Sequence, residues 1–100
     1  MEALMRKLRK FDDYLDDVLT DPVEVANYLN AAYVEGEDVF LLALQNVARA
    51  RGITALAKAT GLQREGFYKM LSKKGNPAYR SLRAILDSMG IQVEFRPKAA

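Results

Sequence analysis

The stretch ITALAKATGLQREGFYKMLS, Ile53 to Ser72, constrains the fold more than any other part of the chain. Most of its residues favour a helix, yet Gly61 interrupts them. Glycine is the residue that admits the left-handed backbone of a tight helix end. Leu56 and Ala57 give the first piece an inward side, and the small Ala57 lets a neighbouring helix approach closely. Leu62 plugs the corner, and Phe67, Met70 and Leu71 form the inward stripe of the second piece. An apolar–small pair, a glycine, an apolar plug and then an apolar anchor is helix-turn-helix spacing, with the two helices crossing at about 90–120°. The second helix then protrudes instead of lying flat. Two structural helices in an ordinary bundle would also satisfy this spacing, so the outward residues carry the distinction.

The outward face of the second helix is Gln63, Arg64, Glu65, Tyr68, Lys69 and Ser72. A protruding helix of this kind fits the major groove of DNA, with its N-terminal residues at the base edges. Arg64 has the fork geometry to bind guanine in bidentate fashion. Lys69, one turn on, reaches a guanine edge or a phosphate. Glu65 can accept from cytosine or orient Arg64. Thr54, Gln63, Tyr68 and Ser72 suit phosphate contacts, and Lys73 and Lys74 add salt-dependent affinity. Gly66 is an oddity, because a glycine in a helix interior costs about 1 kcal/mol relative to alanine, and a smaller amount near a helix start. Its bareness admits either a close partner helix or the DNA backbone, and the sequence leaves that choice open.

The charge pattern points the same way. Residues 1–44 carry ten acidic side chains against four basic ones, and residues 45–100 carry eleven basic against three acidic, so a formal net charge of +2 hides two opposed halves. A polyanion suits the second half and a basic partner suits the first, although solvated faces that merely segregate would look alike. The chain has no cysteine and no histidine. That removes disulfides, thiolate metal sites, and the commonest general base and metal ligand. No cofactor and no metal are implied. No apolar run is long enough for a membrane span, and no apolar core follows the basic Met1–Lys10 segment. A cytoplasmic protein is the expectation.

One hundred residues suggest one domain. Residues 1–20 read as an arm or short helix, with Phe11, Tyr14, Leu15, Val18 and Leu19 at helix-like spacing among aspartates. Residues 21–96 read as the domain. Asp21 caps a helix with Pro22 in its first turn, running to about Val34, with Val25, Leu29 and Ala32 or Tyr33 inward. Asp38 caps a second helix, from Val39 to about Arg51, that buries Phe40, Leu41, Leu44, Val47 and Ala48. Thr54 caps the third, which ends at Gly61. The fourth runs from Arg64 to Ser72. The fifth, Ala78 to Met89, follows Asn76-Pro77 and buries Tyr79, Leu82, Ile85, Leu86 and Met89. Ile91–Arg96 alternates apolar with polar and reads as one short β-strand, which needs the N-terminal segment or a second subunit to pair with. The fold class is therefore all-α, a bundle of four to five helices with a short C-terminal strand. Ile91, Val93 and Phe95 are the candidate dimer interface.

Residues 47–91, VARARGITALAKATGLQREGFYKMLSKKGNPAYRSLRAILDSMGI, resemble the probable addiction-module antidote proteins, HigA-like relatives of the lambda-repressor-like helix-turn-helix domains. The likeness extends upstream through DPVEVANYLNAAYVEGEDVFLLALQNVARARG. The resemblance implies a fold of the lambda-repressor kind, with Arg64, Glu65 and Lys69 at base-reading positions and Thr54, Gln63, Tyr68 and Asn76 at phosphate-contacting ones. It further implies an antitoxin that binds its own operator double-stranded DNA as a homodimer and neutralises a RelE- or HigB-like ribonuclease toxin. Asp12, Asp13, Asp16 and Asp17 are candidate contacts for such a basic toxin. The family segment begins near the Phe11-Asp12 pair, and this chain adds about ten residues ahead of it, four of them basic.

Three other readings compete. A transcriptional repressor without a toxin partner shares every residue pattern above. An interaction adaptor would keep the bundle and lose the DNA role. An enzyme would depend on the carboxylates Asp12, Asp13, Asp16 and Asp17 holding a hard cation. That run lacks the glycine turn and the oxygen-ligand spacing of a calcium loop, so no catalytic activity is expected.

Overall fold

A computed structural model describes residues 18–72 and 76–99. Among these residues the chain is all-α, with five helices: α1 Pro22–Glu35, α2 Glu37–Arg51, α3 Ile53–Thr60, α4 Arg64–Met70 and α5 Tyr79–Ser88. The segment 1–17, and with it Asp12, Asp13, Asp16 and Asp17, lies outside the described residues, as do Lys73 and Lys74. Of the expected front segment, Leu19 is described, and it is buried in the core.

Each helix starts for a local reason. The Asp21 side chain accepts a hydrogen bond from the Val23 backbone N–H at 3.0 Å, and Pro22 occupies the first turn of α1. This satisfies one of the orphan donors of a helix start and sets φ in advance. The next two starts differ from the sequence expectation. Helix α2 begins at Glu37 behind Gly36, so Asp38 lies in its first turn and is not its cap. Helix α3 begins at Ile53 behind Gly52, so Thr54 is its second residue and caps nothing. In both cases a glycine turns the chain, and the helix propagates back to it without a side-chain cap. Glu37 and Asp38 still stand at the positive end of the α2 dipole, and Arg49 and Arg51 at its negative end. Helix α5 begins at Tyr79, with Ala78 in the cap position.

The core is one cluster. Val25, Leu29 and Ala32 come from α1, and Leu41, Ala43, Leu44, Val47 and Ala48 from α2. Ile53 and Leu56 come from α3, Phe67 from α4, and Ile85 and Leu86 from α5, with Leu71 and Met89 just beyond the ends of α4 and α5. Between the two inward candidates on α1, Ala32 is buried. Tyr33 stands outside, edge-on to Phe40 with ring centroids 5.3 Å apart. Tyr79, expected in the core, is 70% exposed. As the first residue of α5 it lies a full turn before Leu82 and overhangs the edge of the cluster. Phe40 and Leu82 are half-buried against the core. Helix α1 packs on α2, while α3 is the hub that touches α2, α4 and α5.

Two features fix how α4 leaves α3. Gly61 sits at φ 74°, ψ 11°, the left-handed conformation that ends α3 and turns the chain. The Thr60 hydroxyl closes the last turn of α3 by donating to the Leu56 carbonyl at 2.7 Å. At the far end, the Gln45 side-chain amide on α2 donates to the Leu71 carbonyl at 2.7 Å, tying the exit of α4 to the body of the domain. Likewise, Arg51 donates to the Met89 carbonyl at 3.0 Å and joins the ends of α2 and α5.

The segment 91–99 forms no strand pairing among the described residues. The alternation is present: Ile91 is half-buried with its N–H donating to the Leu86 carbonyl at 2.9 Å, while Val93 and Phe95 are 56% and 93% exposed. Among the described residues no second strand lies beside it. A strand exists only through a ladder of backbone hydrogen bonds, so a lone segment stays irregular however regular its side-chain pattern.

Two stability changes follow. Gly61→Ala forces a β-carbon into a left-handed backbone and lowers unfolding stability by about 1 kcal/mol. Urea denaturation will report this as a lower midpoint at unchanged slope. Gln45→Leu keeps the volume but strands the Leu71 carbonyl, and costs about 1 kcal/mol by the same measurement.

Candidate nucleic-acid interface

Helix α4 is only seven residues long, too short to hold its shape alone. Its stability comes from Phe67, fully buried, and from Leu71, 1% exposed, with Met70 and Leu62 packed against the same cluster. Burying a side chain the size of Phe67 contributes about 1.5–3 kcal/mol. The chain enters α4 through Gln63, whose backbone is extended and whose carbonyl accepts from the Phe67 N–H at 2.9 Å. With this side committed to the core, the opposite side is left to solvent.

Gln63, Arg64, Glu65, Gly66, Tyr68 and Lys69 are all exposed. Among the described residues, no hydrogen bond or ion pair engages the side chains of Arg64, Glu65 or Lys69. Glu65 therefore does not orient Arg64 in this state. The three groups stand on two turns of one anchored helix, as a positive, a negative and a positive charge. A donor fork on Arg64, an acceptor on Glu65 and a donor ammonium on Lys69 suit base edges and phosphates.

The other expected contact residues divide. Thr54 is exposed in the first turn of α3. Tyr68 is 41% exposed on α4. Ser72 is half-buried, and its hydroxyl donates to the Lys69 carbonyl at 2.8 Å, so it closes the end of α4 and keeps only its lone pairs for a ligand. Asn76 is exposed beside the α1–α2 corner, where it lines a surface hollow with Tyr33, Gly36, Glu37 and Phe40, and not with α4. On the dimer side, Val93 and Phe95 are open, while Ile91 is partly committed to its own core.

Sequence reasoning missed the residues that position the helix. Gln45 is the important one. Its signal was a polar residue one turn past Leu41 and next to Leu44, on the buried side of α2, where a side chain needs a partner. Asn46 donates to the Tyr28 hydroxyl at 2.8 Å, joining α2 to α1. Arg51, which the sequence offers only as the end of α2, also ties α2 to the end of α5 through the Met89 carbonyl.

Among the described residues no helix is long and apolar enough to cross a membrane. A family model described as "Probable addiction module antidote protein" matches residues 7–97. An uncharacterised protein of Haemophilus influenzae is 33% identical over 94 residues, covering 93% of this chain and 95% of that protein. No solved structure gives a significant match. The matched region holds all five helices, the Gly61 corner and the exposed face of α4, and the chain therefore belongs to the family of probable addiction module antidote proteins.

Proposed function

We propose that this chain is the antitoxin of a type II toxin–antitoxin module. It binds its operator DNA as a homodimer through a helix-turn-helix of the lambda-repressor kind, α3 and α4, and it neutralises a RelE- or HigB-like ribonuclease toxin. Membership of an antidote family implies a toxin partner of some kind. The observation that carries the DNA role is the exposed trio Arg64, Glu65 and Lys69, unpaired among the described residues, on a helix whose other side is locked by Phe67 and Leu71. An antidote that only gripped a protein would have no need of a short charged helix set at a corner from its neighbour. The family match favours this reading over a repressor without a toxin.

In this reading Arg64, Glu65 and Lys69 meet base edges, while Thr54, Gln63, Tyr68 and Ser72, with Lys73, Lys74 and Asn76, meet phosphates. The dimer forms by pairing residues 91–96 of two copies, with Val93 and Phe95 covered, and it sets two α4 helices about 34 Å apart, one turn of DNA. The acidic residues Asp12, Asp13, Asp16 and Asp17 meet the basic toxin. The chain acts by binding and not by catalysis, in the cytoplasm where operator and toxin both reside.

Titration with duplex DNA from immediately upstream of its own coding sequence tests the DNA role. Binding will exceed that of a scrambled duplex and weaken steeply as salt rises. Arg64→Ala will cost about 1–3 kcal/mol of operator affinity and relax preference at one base pair. Unchanged affinity and preference in that variant sink the assignment of α4. For the dimer, sedimentation at rising concentration will show association that Phe95→Asp abolishes, and a concentration-independent monomer refutes it. A short basic reading frame beside this gene, whose product co-purifies with the chain, tests the toxin role.

A further inference from the structure

Gly66 is the third residue of α4, in its first turn, exposed, with helical backbone and no positive φ. Among the described residues no contact requires a glycine there. A β-carbon built at Gly66 meets no atom within 4 Å, so no described neighbour needs the space, and the backbone conformation is open to any residue. The positive-φ glycines among the described residues, Gly36, Gly52, Gly61 and Gly90, each stand at a helix end. Gly66 alone weakens a helix that is already the shortest of the five described, at a point where alanine would fit without strain.

A helix neighbour relation sharpens this. Residues three apart share a face, so Gly66 shares its flank with Gln63 before it and Lys69 after it. Both are exposed polar side chains on the α4 surface. The bare position is therefore a notch between two contact groups.

We propose that Gly66 is the close-approach point of the DNA interface: the sugar–phosphate wall of the groove seats against the bare α4 backbone there, and this contact sets the depth at which Gln63 and Lys69 engage. The inference rests on the DNA reading of α4 and names its depth-setting residue. Side chains at this position push the helix out of the groove in proportion to their size, while leaving the free protein intact.

The experiment compares wild type with Gly66→Ala and Gly66→Leu by thermal unfolding and by titration with the upstream duplex and a scrambled duplex. Gly66→Ala is expected to raise the unfolding midpoint by roughly 2–6 °C, since alanine is the better helix former. It is also expected to weaken binding to the upstream duplex roughly tenfold, and Gly66→Leu to weaken it further, the signature of an overpacked contact. A lower midpoint in Gly66→Ala means an internal structural role and overturns the proposal. A raised midpoint with unchanged affinity also overturns it, and leaves the DNA reading standing. Wild type that does not prefer the upstream duplex overturns the DNA reading, and the proposal with it.

Discussion

The burial of Phe67 and Leu71 is the interaction on which the interface depends. Two turns of helix have no independent stability, because nucleation costs more than so few backbone hydrogen bonds return. Helix α4 exists because those two side chains, together with Met70, belong to the common core. The same fact decides what the helix shows to solvent. Once Phe67 and Leu71 point inward, the 100° step between residues turns Glu65 and Lys69 outward and leaves Gly66 and Tyr68 to either side, while Arg64 is exposed as the first residue of the helix. Gly61 then decides where this short stub points, and the Gln45 hydrogen bond holds its far end. Core, corner and tether form one mechanical unit. The charged face has no such unit of its own, and needs none.

Much of this unit was legible in the sequence, because its determinants are local. A glycine between two apolar stripes announces a left-handed helix end, and the spacing from Leu56 to Phe67 follows from 3.6 residues per turn. Asp21-Pro22 marked the start of α1 for the same reason. Other features escaped because they are decided elsewhere. Asp38 and Thr54 look like caps, yet Gly36 and Gly52 had already turned the chain, and a helix extends to wherever its hydrogen bonds can begin. Tyr79 fits the apolar period of α5 and is still exposed, because the core ends before its turn. The role of Gln45 depends on Leu71, 26 residues away, and no local pattern encodes that distance.

The segment after α5 shows the same limit in another form. Its alternation is plain in Ile91-Gln92-Val93-Glu94-Phe95, and Ile91 is indeed held against Leu86. A strand, however, is a property of two segments. Within the described residues the segment has no mate, and Val93 and Phe95 are left in water. A chain of 100 residues has little apolar surface to spare. Leaving a phenylalanine 93% exposed is a cost that a second copy would remove, and on the proposed reading that copy also supplies the second reading helix.

The arrangement of charge completes the argument. Asp21 and Glu24 open α1, and Glu35, Glu37 and Asp38 crowd the corner between α1 and α2. Helix α1 packs on α2 and α4 packs on α3, while Asp38 at the start of α2 borders the same surface hollow as Leu71 and Ser72 at the exit of α4. If both charges shared one face they would neutralise each other, and neither a polyanion nor a basic protein would be attracted. On the proposed reading the operator meets Arg64, Glu65 and Lys69 while a basic toxin meets acidic residues elsewhere in the chain, so one set of side chains need not discriminate between a phosphate backbone and a cationic protein.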